Sequence, residues 1–146
     1  FETMWFQVHE MLYIEKGGAK QIPGELAAYN PLIPNGRELV ATMMIEIPDD
    51  QERRTELQRL VGIETAVWLT VGDLSRVTPI ANEDLDRETV DKTSAVHFVR
   101  FEFSEQMIMS LRSGEQLFIG IDHPAYGYNT QVSTSTRSSL VHDLRD

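Results

Sequence analysis

The sequence predicts an α+β fold: a mostly antiparallel sheet of about five or six strands, curved or closing toward a barrel, with an N-terminal helix packed on it and short peripheral helices. Three observations predict it. Thr3 to Lys16 consists mostly of good helix formers and is stopped by Gly17-Gly18. Ala95 to Phe103 and Gln116 to His123 alternate side chains at period two, as strands do. The other extended segments are short and mixed-faced rather than continuously apolar, which favours antiparallel pairing.

In chain order, the first helix gathers Met4, Val8, Met11 and Leu12 into an apolar arc with Trp5 at its margin. Thr3, Gln7 and Glu10 form a polar strip with His9 nearly opposite. His9 and Glu10 are adjacent and do not face each other. Glu15 projects into the apolar arc, so it needs a partner unless the last turn frays. Gln21 to Tyr29 reads as a second short helix. Asn30-Pro31-Leu32-Ile33-Pro34-Asn35-Gly36 then forms an ordered turn leading into a strand from Leu39 to Ile47, with Met43, Ile45 and Ile47 inward.

Pro48-Asp49-Asp50 caps a charged helix from Gln51 to Leu60. Glu64 to Val71 is a strand with Val67, Leu69 and Val71 inward and Trp68 on the other side. Gly72-Asp73 turns the chain into an extended run from Ser75 to Ile80. Asn82 to Lys92 is a charge-rich loop or loose helix.

The stretch from Thr93 to Tyr126 organises the rest. His97, Val99, Phe101 and Phe103 share one face of the first strand, and Arg100 and Glu102 mark the other as the wetter one. Leu117, Ile119, Ile121 and His123 share one face of the second strand, so both histidines point to the core. Between them Ser104 is an N-cap, and Arg112 and Gly114 end a short helix. If the two strands are antiparallel neighbours, as expected here, His97 and His123 meet at one end of the sheet. Pro124 to Tyr128 then makes a turn carrying Tyr126 and Tyr128, Gln131 to Thr136 is polar and mobile, and Ser138 to Asp146 adds a short helix or frayed tail.

Bulk composition bounds the function. A chain of 146 residues is expected to form one domain, residues 1–146. The absence of cysteine excludes disulfides, thiolate catalysis and cysteine-held metal or clusters. A formal charge of −10 argues against nucleic acid and anionic membrane surfaces, and leaves room for a basic partner surface. No apolar run approaches membrane-spanning length and no signal peptide is visible, so the cytoplasm is the expected location. The sequence opens on Phe1-Glu2-Thr3 without an initiator methionine, and an upstream segment is expected to be missing.

Several segments together carry a family resemblance: Gln7-Val8-His9-Glu10-Met11 with Glu15, Glu25 to Pro34, Thr93 to Phe101, and Asp122-His123-Pro124-Ala125-Tyr126. Over nearly its whole length the chain resembles the bacterial domain-of-unknown-function family numbered 3501. The resemblance implies a redox or metal setting, with a rubrerythrin-like protein or an iron–sulfur oxidoreductase as candidate partner. It supplies no catalytic residues.

Two function classes follow. One is an accessory or binding module for a redox partner, its acidic surface and any open sheet edge supplying the contact. The alternative is a metal-binding protein or metal-dependent enzyme, in which His97, His123 and a carboxylate, Glu10 or Glu15, hold Fe, Zn or Mn. The candidate ligand pocket comprises Gln7, Glu10, Tyr29, His97, Arg100, His123 and Tyr126. No HxxxH, HxH or ExxH spacing supports the metal reading, and the plainer one ties both imidazoles to backbone or to Tyr29 and Tyr126. Serine-elbow and phosphate-loop patterns are absent.

Overall fold

The computed structural model describes residues 2–81 and 92–144, and the expected loop or loose helix of Asn82 to Lys92 falls almost wholly outside them. The chain divides into two compact units, Phe1–Asn35 and Gly36–Asp146. The boundary falls at the Pro- and Gly-rich turn that precedes the first strand. No helix among the described residues is long and apolar enough to cross a membrane.

The first unit is a helical hairpin. Helix α1 (Glu2–Glu15) ends where Lys16 and then Gly18 take left-handed backbone angles. A 3-10 turn at Gly18–Lys20 leads into α2 (Ile22–Tyr29), whose first turn contains Pro23. Gln21 staples the two helices. Its side-chain amide donates to Glu15 at 2.7 Å and to Glu25 at 2.8 Å, and its oxygen accepts from the Gly17 N–H at 3.0 Å. A Cβ on Gly17 would lie 2.4 Å from that oxygen, so the staple requires glycine there. Glu15 thus has its partner at an exposed helix end, not within an apolar face.

The second unit is built on two three-stranded antiparallel sheets. One orders β1 (Glu38–Met44), β4 (Val96–Glu102) and β3 (Ile80–Ala81), with β4 central. The other orders β2 (Val67–Val71), β5 (Leu117–His123) and β6 (Tyr126–Gln131), with β5 central. Val77 bridges to Leu69 of β2, and three residues later Ile80 pairs with Arg100 of β4. One short run of chain therefore pairs with strands of both sheets. The sheets do not close into a barrel, because β1 and β6 remain terminal strands.

Three helices complete this unit. Asp49 caps α3 (Asp50–Arg59), accepting from the N–H groups of Gln51 and Glu52 at 2.9 and 2.8 Å. Ser104 caps α4 (Glu105–Arg112), and Ser133 caps α5 (Thr134–Val141). The core joins Leu39, Val67, Leu69, Val71, Val99, Phe101, Phe103 and Leu117 of the sheet region to Met107, Ile108 and Leu111 of α4 and to Leu144. The inner face read for β4 is buried throughout: His97, Val99, Phe101 and Phe103.

Two expectations are corrected. The strands bearing His97 and His123 are not neighbours. β4 and β5 lie in different sheets, because α4 leads the chain from one sheet to the other rather than back beside its own strand. The turn after β5 is only Pro124-Ala125, and Tyr126 to Gln131 is a full strand. Glycine and asparagine within it disguised an alternation of Tyr126, Tyr128, Thr130 and Val132.

Candidate functional site

A concavity lies within the helical unit, between α1 and α2. It encloses about 280 Å³ and is lined by Met4, Trp5, Val8, His9 and Leu12 of α1, by Ile22, Leu26 and Tyr29 of α2, and by Asn30 and Ile33. Met4, Val8 and Leu12 recur at i,i+4, as do Ile22 and Leu26, so each helix offers the other an apolar stripe. The helices are too short to bury these stripes fully. Only Val8 is buried in α1, and no residue of α2 is. Trp5, Phe6, Tyr13, Ile14, Ile22 and Leu26 remain exposed.

A polar group is fixed in this apolar slot. The His9 Nδ1–H donates to the Trp5 carbonyl at 2.9 Å, which defines the tautomer because a carbonyl only accepts. The imidazole is tilted against the Trp5 indole with ring centroids 4.2 Å apart. Among the described residues no group bonds to Nε2 of His9. The groove thus combines an aromatic wall with one nitrogen able to accept, together with the side chains of Tyr29 and Asn30. Of the pocket residues expected from sequence, only Tyr29 lines it. Glu10 is exposed and Gln7 half-buried outside the lining.

The remaining expected residues, His97, Arg100, His123 and Tyr126, belong to the sheet unit. His97 is fully buried. Its Nε2–H points to the Ser94 carbonyl at 3.0 Å and to the Thr93 hydroxyl at 2.9 Å, locking the turn that precedes β4. His123 donates from Nε2 to the Val61 carbonyl at 3.0 Å and accepts at Nδ1 from the Ala125 N–H at 3.1 Å. Both ring nitrogens are therefore engaged in the neutral form, closing the β5–β6 turn. Each imidazole makes a hydrogen bond to a backbone carbonyl. Arg100 points to the opposite face of β4 from His97, where it pairs with Glu38 at 3.0 Å and with Glu102.

A metal centre needs several donors with open lone pairs. Among the described residues no group of three or more histidine or carboxylate side chains is placed to hold a metal ion. Glu10 and Glu15 belong to the helical unit, His97 and His123 to the sheet unit.

The outer face of β2 and β5 carries one further cluster. Trp68 lies directly across from Gly120, and a Cβ there would fall 2.2 Å from its ring. The missing side chain is the space the indole occupies. The Arg76 guanidinium stacks 3.8 Å above that ring and pairs with Asp122. Trp68 first, then Arg76, holds the Asp122 carboxyl below its ordinary range. The buried indole N–H has no hydrogen-bond partner within normal limits.

No curated protein matches this sequence. A solved protein of unknown function from Burkholderia pseudomallei K96243 is 47% identical and superposes with a TM-score of 0.90, over 98% of this chain and 75% of its own. The family described as "Protein of unknown function (DUF3501)" matches residues 1–144. The chain belongs to the DUF3501 family.

Proposed function

We propose that this protein is a binding module that seats an apolar segment of a partner protein in the α1–α2 groove, as an accessory to a redox or metal-handling system. The groove itself carries the reading: a slot lined by apolar side chains, of which Trp5, Ile22 and Leu26 are exposed. Contiguous exposed hydrophobics of this kind mark interaction surfaces. Two helices with a groove between them suit the helix-in-groove mode of recognition. The redox setting, and an iron–sulfur oxidoreductase or rubrerythrin-like protein as partner, rest on the family resemblance alone.

Photo-crosslinking tests this. A photoreactive residue at position 26, in the groove, is compared with one at 109, exposed on α4. The proposal expects one defined adduct with another protein from position 26 and none from 109, lost when Leu12→Glu places a charge in the slot. Adducts from both positions, or from neither, contradict it. Metal analysis addresses the alternative of a His97, His123 and carboxylate centre: stoichiometric iron, zinc or manganese that vanishes in a His97→Ala, His123→Ala double variant would restore that reading.

A further inference from the structure

Strand β6 ends its sheet, and all six of its residues are exposed. The Val132 N–H donates to the Leu117 carbonyl at 2.8 Å. Bonded and non-bonded pairs alternate along an antiparallel ladder. The backbone of Tyr126, Tyr128 and Thr130 therefore bonds to β5, while that of Gly127, Asn129 and Gln131 points outward. Among the described residues these outward groups have one recorded partner, the Thr130 hydroxyl, which donates to the Gln131 carbonyl at a long 3.5 Å. Natural edge strands are usually blunted by lysine, proline, a bulge or a covering element, and β6 has none of these.

Two observations say what this edge admits. From His123 to Thr136 the sequence carries no Asp, Glu, Lys or Arg, its longest such run, in a chain of net charge −10. A second copy brings the same negative charge and can approach closely only at a neutral surface. The other terminal strand, β1, begins at Glu38 and is followed by Glu46, Asp49 and Asp50. In addition, Tyr128 and Thr130 sit opposite Ile121 and Ile119 and so share the core side of the sheet. Yet Tyr126 and Tyr128 are exposed, two aromatic side chains on an inner face that the described residues leave uncovered.

We propose that β6 pairs with β6 of a second copy of this chain, antiparallel about a two-fold axis at Asn129, joining two three-stranded sheets into one. In that register Asn129 meets Asn129 of the partner subunit, and Gly127 meets Gln131 of the partner subunit. All outward backbone groups of β6 are then satisfied by self-complementarity. Tyr128 lies across from Thr130 of the partner subunit, and Tyr126 across from Val132 of the partner subunit, pairings that suit a sheet. The contact is independent of the α1–α2 groove.

Sedimentation equilibrium of the full chain tests this. The expected result is a reversible monomer–dimer equilibrium at micromolar protein, as befits a small interface. Two variants leave the β5–β6 ladder intact: Asn129→Pro removes an outward N–H, and Thr130→Lys adds the charge that natural edges use. Each is expected to weaken dimerisation at least ten-fold with the far-ultraviolet spectrum unchanged. A chain that stays monomeric at several hundred micromolar, or a dimer that survives both substitutions, overturns the proposal.

Discussion

The two units use similar side chains for opposite ends. In the sheet unit, large apolar residues are withdrawn from water: Phe101 and Leu117 are 1% exposed and Val71 is 0% exposed. In the helical unit, Trp5, Phe6, Tyr13 and Ile14 stay in solvent, and Trp5 lines a groove. The sheets meet a capped helix and a shared strand segment, so their inner faces close over one another. The helical unit has no sheet, and α2 has eight residues. The difference teaches where to look for function. Hydrophobic surface that does not stabilise its own unit is the surface available to a partner.

The largest test contrasts two phenylalanines. Phe101→Ala is expected to cost about 3–5 kcal/mol of unfolding free energy in urea, the usual range for a core phenylalanine. Phe6→Ala is expected to change it by less than about 0.5 kcal/mol. Equal costs would erase the distinction between the units.

Glycines sharpen it next. Gly120→Val must displace the Trp68 ring and is expected to destabilise by about 1–3 kcal/mol, with a shift in tryptophan emission. Gly24→Ala in α2 meets open space, with nothing within 4 Å of the new Cβ. It is expected to raise helicity and to stabilise its unit by up to about 1 kcal/mol. Loss of helical circular dichroism there would show that α2 is packed more tightly than described.

Capping gives a smaller effect. Ser104→Ala removes the acceptor for the Met107 N–H and is expected to cost about 1 kcal/mol by thermal denaturation.

The smallest effect is electrostatic. The folded Asp122 carboxyl titrates below its unfolded value. Its contribution is therefore present above the ordinary carboxylate pKa, and it is lost as pH falls through the depressed folded one. Asp122→Asn is expected to flatten the acid limb of the stability–pH curve while leaving its neutral region nearly level. An unchanged acid limb would mean that the carboxylate is not held by Trp68 and Arg76.

Local patterns in the sequence were legible where one physical signal dominated. The inner face of β4, the caps at Asp49 and Ser104 and the stop after Glu15 all follow from side-chain period, N-cap chemistry and glycine. Strand neighbours were not legible. A helix as short as α4 can return a chain beside its strand or carry it to another sheet, and nothing local decides between them. The meeting of His97 and His123 on adjacent strands was expected on that undetermined point. β6 was hidden because Gly127 and Asn129 weaken strand propensity, although Tyr126, Tyr128 and Thr130 already alternated. The groove was half legible: the stripe of Met4, Val8 and Leu12 was visible, but its meeting with α2 depends on the Gln21 staple.

The availability of the helical unit's apolar surface is tested most directly by acrylamide quenching, because the chain has two tryptophans and each unit holds one. Trp5 is 55% exposed and Trp68 6% exposed. The account predicts two populations of emission in the free protein, one readily quenched and one protected, with the quenched population abolished by Trp5→Phe. A single protected population, or a quenched one that survives Trp5→Phe, would contradict it.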